Sequence, residues 1–364
     1  MRIWVDITDA SAVVFFAPIV RRLEDAGHTV TLTARRFAGA DLVLRRYGLG
    51  GLLTTRHRGG GLGTRAVGLV NRTAQLLGSA GSGRYDVAAG SHASDFVLTA
   101  WTLAVPQMTF LDPDRLGRSN LINVRLVDEV AVPEAVPVAG LAELGATRDK
   151  VFRYPGFRAE YYLHDAHPDS GVLARLGVER RHIVGVVRTP APPMRLQAAA
   201  GVPSGEEALV RLVAGLAGRR NLTLVVVARD QEQRRRLLAH ELPGVLVPEG
   251  PVDGTGLLAA ADFVVGLGGV MLREAVALGT PAYTLAPSAG AVEASLLANG
   301  RLRRVAGPDD VIVRKKDLRT ALSLPRDPAL FVDRLLELAR RRPRRARLGR
   351  LVQDASHEDP PPLL

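Results

Sequence analysis

The sequence predicts an α/β chain of two Rossmann-like domains facing each other across a cleft, with a ligand site in the second. Three observations carry this expectation. At 364 residues the chain is too long for one typical core and suits two domains of about 150 to 180 residues each. Short apolar runs rich in β-branched residues alternate with stretches of helical period, the mark of βαβ units and a parallel sheet. The alternation breaks once, over Val151 to Asp169, where Tyr154-Pro155-Gly156, Tyr161, Tyr162 and His167-Pro168-Asp169 interrupt the rhythm, and then begins again.

In the first half, strands are expected near Ile3 to Asp6, Thr29 to Thr33, Gly51 to Thr54, Asp86 to Ala89, Gln107 to Phe110 and Leu126 to Val130. The first helix is expected over Val13 to Ala26, where Phe15, Ile19, Leu23 and Ala26 share a face and Gly27 ends the helix in the left-handed position. The second half places strands at His182 to Val187, Leu222 to Val227, Val245 to Val247, Phe263 to Val265 and Ala282 to Leu285. Its helices fall at about Ser204 to Ala217, Gln231 to His240, Val270 to Leu278 and Ala291 to Asn299. The resulting division is a first domain over 1–155, a linker over 156–180, a second domain over 181–327, a helix over 328–345 and a basic, Pro-rich tail over 346–364.

Composition excludes several functions. Apolar residues at 47% against charged residues at 23% allow a buried core and exclude a disordered polyelectrolyte. With no cysteine, there is no disulfide framework, thiolate metal site or cysteine nucleophile. Asp6 stands where a signal peptide would carry its apolar stretch, and no 18-residue apolar run follows, so a cytoplasmic protein is expected. The net charge of +11 does not point to nucleic acid, because lysine occurs only at Lys150, Lys315 and Lys316 and arginine makes up the rest. Arg340, Arg341, Arg342, Arg344, Arg345, Arg347 and Arg350 supply much of the excess. That run reads either as a solvated helix end or as a contact with an anionic membrane face or a polyanion.

The sharpest motif is Gly266-Leu267-Gly268-Gly269-Val270-Met271-Leu272-Arg273-Glu274, followed by Gly279-Thr280-Pro281. A glycine turn from a strand into a helix leaves backbone N–H groups unpaired at the positive end of the helix dipole, a cradle for a diphosphate. Glu274, one turn on, suits ribose hydroxyls, Arg273 offsets phosphate charge, and Gly279 and Thr280 are expected to complete a two-loop enclosure. Met271 replaces the third glycine of a dinucleotide fingerprint, which disfavours hydride chemistry. Arg188, Arg229 and Glu249 follow predicted strands, where open α/β sheets bind ligands, although residues there also cap helices and form ion pairs.

In the first domain, Asp6, the loop with His57, Gly59 and Gly60, and the loop with His92 fall at the carboxyl ends of predicted strands. His92 is the leading general base, since imidazole titrates near neutrality and its neighbours are small. Asp6 is a second base and Asp112 a further acid; each also fits a helix cap. The glycines at 59 and 60 suit an anion nest or a lid.

The stretches MRIWVDI, GSHAS, RYPGFRAEYYL, VVARDQEQ and ADFVVGLGGVMLREAVALGTP, with the Arg56-His57 to Gly61 loop, resemble a prokaryotic family known as a domain of unknown function. That family is similar in fold to UDP-N-acetylglucosamine 2-epimerases and MurG-like glycosyltransferases, the GT-B architecture. The resemblance implies a nucleoside-diphosphate-sugar partner and no cofactor or metal. Two departures stand out: Arg188-Thr189-Pro190 lacks the histidine an epimerase would carry, and Val270 replaces a hydroxyl residue after the glycines. Three functions follow. The first is a glycosyltransferase passing the sugar to an unidentified acceptor, the arginine-rich end being compatible with a lipid-linked one. The second is an epimerase or hydrolase of the same fold, and the third a binding protein without catalysis.

Overall fold

The computed structural model describes residues 1–37, 39–56, 62–80, 83–111, 120–190, 205–317 and 325–341. The chain forms two compact units, Met1–Gly156 with Asp327–Leu364, and Phe157–Arg326. Among the described residues no helix is long and apolar enough to cross a membrane.

The first unit runs β1 (Arg2–Ile7), α1 (Ala10–Asp25), β2 (Thr29–Arg36), α2 (Ala40–Arg46), β3 (Leu52–Arg56), α3 (Leu62–Ala80), β4 (Val87–Ser91), α4 (Ser94–Thr102), β5 (Gln107–Phe110), α5 (Leu121–Leu126), β6 (Glu129–Pro133), α6 (Val138–Glu143) and β7 (Val151–Tyr154). The sheet order is β3-β2-β1-β4-β5-β6-β7, and every pairing is parallel. The order reverses between β1 and β4, the crevice where doubly wound sheets receive ligands. Asp9 caps α1 by accepting from Ala12 N at 3.0 Å, and the helix buries Phe15, Phe16, Ile19 and Leu23 against the sheet.

The second unit runs α7 (Arg158–Tyr162), α8 (Val172–Arg175), β8 (Ile183–Arg188), α9 (Glu206–Leu216), β9 (Leu222–Val227), α10 (Gln231–Leu238), β10 (Val245–Leu246), α11 (Gly254–Ala260), β11 (Phe263–Gly266), α12 (Val270–Ala277), β12 (Ala282–Thr284), α13 (Ala291–Ala298) and β13 (Leu302–Arg304). Its order, β10-β9-β8-β11-β12-β13, is again wholly parallel, with the switch between β8 and β11. The core joins Leu209, Leu212, Val213 and Leu216 of α9 to Val187, Leu224, Val226, Phe263 and Val265 of the strands. The chain ends its described part in α14 (Ala329–Arg340).

The structure departs from the sequence reading in three places. Residues 151–154, where the alternation breaks at the end of the expected first domain, form the edge strand β7 paired with β6, and within the expected linker α7 packs on α12 and α8 on α11. The expected strand over Leu126 to Val130 splits, with Leu126 closing α5 and β6 starting at Glu129, because Asp128 turns to accept from Gln107 N at 3.0 Å. The last helix belongs to the first unit, where Phe331 joins edge-to-face contacts with Phe15, Phe110 and Tyr154 at 5.4, 5.3 and 5.1 Å. Arg334 and Arg341 of that segment both donate to Glu129, which is 1% exposed, so part of the basic run is structural.

Candidate functional site

In the second unit, Val187 of β8 pairs with Val265 of β11, which brings Arg188 beside Gly266 as both strands end. A Cβ on Gly266 would stand 3.8 Å from that of Arg188. Gly268 and Gly269 both take φ of +91°, and Gly269 caps α12 with ψ of −172°, a region that only glycine adopts without strain. A Cβ on either would meet nothing within 4 Å. Packing therefore does not select these glycines; backbone conformation does, below open space. The turn presents the unpaired first-turn N–H groups of α12 at the switch point, the arrangement that receives an anion.

Two cations lie on the same edge. Arg188 Nη1 donates to Val227 O and Ala228 O at 3.0 Å each, and Arg229 Nε donates to Thr189 O at 3.2 Å. Burial, and then the charge of Arg229, hold the Arg188 guanidinium below its ordinary value. Among the described residues neither arginine makes an ion pair with a carboxylate, so an incoming anion would relieve the repulsion between them. Gln233 organises the loop: it accepts from Thr189 Oγ1 at 2.7 Å and Arg229 N at 3.1 Å, and donates to Pro190 O at 3.1 Å.

Other residues expected at this site have different surroundings. Glu274 is partly buried and accepts from Tyr162 Oη at 2.7 Å. Burial pushes its carboxyl above the usual range, and the Tyr162 hydrogen bond and the charge of Arg273 only partly oppose this. Arg273 is 8% exposed and lies 3.4 Å from Glu293 Oε1, so it braces α12 against α13 rather than facing an anion. The Glu249 side chain is 91% exposed and approaches Arg234 at 3.3 Å. Gly279 and Thr280 do not form a second loop over the glycine turn. Gly266 pairs with Thr284, so Thr280 precedes β12 at the opposite edge of the sheet, with the eight residues of α12, about 12 Å of helix, between them. There Thr280 Oγ1 donates to Leu258 O at 2.8 Å.

In the first unit, Asp6 ends up in a buried ion network. Arg72 donates to Asp6 Oδ1 at 2.7 Å and to Asp95 Oδ1 at 2.8 Å, Arg35 reaches Asp95 Oδ2 at 2.6 Å, and Thr33 Oγ1 donates to Asp6 at 2.6 Å. Asp6, Arg72 and Asp95 are 0%, 2% and 4% exposed. Burial raises Asp6 above the usual carboxylate range, against the opposing charge of Arg72. Burial acts the same way on Asp95, but the charges of Arg72 and Arg35 outweigh it and hold Asp95 low. A carboxylate without solvent contact is poorly placed to take an acceptor's proton. His92 stands just past β4, half-buried, at φ of 52°, a left-handed conformation uncommon outside glycine. Sequence reasoning missed Arg72, Gln233 and Tyr162. His57, Gly59, Gly60, Asp112 and the arginines from Arg342 onward lie outside the described residues.

Known proteins resemble the chain along most of its length. An uncharacterised protein of Methanocaldococcus jannaschii is 25% identical over 288 residues, 78% of this chain and 82% of that protein. Among solved structures, the UDP-GlcNAc 2-epimerase of Neisseria meningitidis bound to UDP-GlcNAc superposes with a TM-score of 0.67 at 13% identity, over 93% of this chain and all of that one. The glycotransferase of kitacinnamycin superposes with a TM-score of 0.54 at 17% identity, over 97% and 98%. These likenesses establish the fold, which is of GT-B type. The family model for proteins of unknown function DUF354 matches residues 1–326, and the chain belongs to that family.

Proposed function

We propose that the second unit binds a nucleoside-diphosphate sugar and that the protein transfers the sugar to an acceptor. The observation that carries this reading is the pair of positive-φ glycines opening into free space beside Arg188 at the switch point. The diphosphate takes the N–H groups of the turn and the charge of Arg188 and Arg229, and the ribose hydroxyls take Glu274 in exchange for the Tyr162 phenol. The reading needs no bound metal or cofactor, since helix dipole and guanidinium stabilise a leaving diphosphate. His92 is the base for the acceptor hydroxyl. The lost hydroxyl at Val270 weakens phosphate binding by one hydrogen bond and leaves the backbone donors in place.

A second reading, epimerisation or hydrolysis of the same ligand, is favoured by the likeness to the Neisseria epimerase. Two observations weigh against it: Arg188-Thr189-Pro190 carries no histidine, and Asp6 and Asp95 are both committed to Arg72. Incubation with UDP-N-acetylglucosamine alone separates the two. Transfer predicts no turnover until an acceptor is supplied, whereas epimer or free sugar without acceptor supports the second reading. Binding without turnover across an acceptor panel identifies a ligand-binding protein. The acceptor is of lipid-linked type in this account, and the cytoplasmic protein meets it at an anionic membrane face through its arginine-rich end. Liposome binding unaltered by removal of residues 342–364 refutes that part.

A further inference from the structure

The edge of the second sheet opposite the glycine turn carries a cavity of about 250 Å³ bounded by Thr280, Asn299, Arg301, Arg303, Arg314 and Lys316. We infer that this cavity is a second anion site, for a small phosphoryl anion such as a diphosphate or phosphomonoester. Its volume falls just under the roughly 300 Å³ at which pockets for larger ligands begin, which suits a small anion better than a whole nucleotide sugar.

The charge on its walls points to an anion. Arg301, Arg303, Arg314, Lys315 and Lys316 line it, against Asp262 and Asp317. Asp262 is already engaged by three donors, accepting from Val184 N at 2.7 Å, Lys316 N at 2.8 Å and Lys315 Nζ at 3.1 Å. Arg301 is fixed in place by Glu160 at 2.6 Å and lies over the Phe157 ring. Arg303 and Arg314 are exposed and, among the described residues, make no ion pair.

The ammonium of Lys316 is the most telling group. It donates to Ala259 O at 2.7 Å and to Thr280 Oγ1 at 2.9 Å, both neutral oxygens, with a third N–H left to give. Burial pulls it below its ordinary value, and the charge of Asp262 opposes this, so the charge is incompletely compensated. In a chain whose 48 basic residues are nearly all arginine, two of three lysines stand side by side here.

The test is calorimetric titration of inorganic pyrophosphate into the full chain. Wild type is expected to bind, and the double variant Arg303→Ser with Arg314→Ser, both surface changes, to lose roughly tenfold or more in affinity with its melting temperature unchanged. Lys316→Gln is expected to lose as much, and because pyrophosphate also suits the glycine turn, both losses are expected to persist in an Arg188→Ala background. Wild type that gives no heat at millimolar pyrophosphate overturns the assignment. So does equal binding with and without the Arg303/Arg314 changes in that background, or loss on Arg188→Ala alone, which puts the ion at the glycine turn. The result stands apart from the nucleotide-sugar reading, because neither Arg303 nor Lys316 belongs to that site.

Discussion

The phenol of Tyr162 donates to Glu274 Oε1 at 2.7 Å, tying the short helix at the start of the second unit to the helix that follows the glycine turn. The bond keeps a partly buried carboxylate hydrogen-bonded.

Glu274 titrates above its ordinary value because burial penalises its charge. The folded state therefore holds a proton that the unfolded chain has released, and stability falls as pH rises from the usual carboxylate pKa through the raised one. Glu274→Gln keeps an acceptor for Tyr162 and removes the charge. Urea unfolding across a pH series is expected to show this variant more stable than wild type above the raised pKa, with the share of the downward slope that Glu274 contributes gone. A variant less stable than wild type at neutral pH contradicts the assignment.

Arg72 neutralises two buried carboxylates, so Arg72→Met leaves Asp6 and Asp95 without their shared cation. Loss of one partner from a buried pair costs about 3–5 kcal/mol, read as a shifted urea midpoint. The sign with pH is also set. In wild type the depressed Asp95 contributes stability that is present above its unfolded pKa and lost as pH falls through the lower folded value. The variant's deficit is therefore expected to shrink on acidification. A deficit that does not change with pH would mean that Arg72 acts only through packing.

Arg188 is a half-buried cation next to a second one, Arg229, and under the proposed function it meets the diphosphate. Arg188→Met is expected to lower UDP affinity by roughly tenfold or more, and to make what remains less sensitive to salt than wild type. Titration at two ionic strengths measures both. An unchanged salt dependence removes Arg188 from the phosphate contact.

Much of this architecture was legible because buried parallel strands are continuous apolar runs, as at Leu222 to Val227. Two of the four edge strands were not: Val-Phe-Arg-Tyr at 151–154 and Leu-Arg-Arg at 302–304 carry charge and lack that signature. The glycine turn was visible from its spacing. Thr280 was misplaced because its nearness in sequence hides the length of the helix that separates it from Gly269. Arg72 read as one more basic residue on a helix, since its partners lie 66 and 23 residues away. The return of the last helix to the first unit depends on Phe331 finding Phe15 and Phe110, a choice of partner that periodicity does not encode.

The central claim is that the turn at Gly268 and Gly269 holds a nucleoside diphosphate. Calorimetric titration of UDP and GDP into wild type and Gly269→Ala tests it most directly. A side chain at Gly269 meets no neighbour, so the substitution acts through backbone strain of about 1–3 kcal/mol and a displaced N–H cradle. The account predicts saturable one-to-one binding of at least one of the two nucleotides by wild type, weakened roughly tenfold or more in a Gly269→Ala protein that still unfolds cooperatively. Equal binding by the two proteins, or no binding of either nucleotide by wild type, would contradict it.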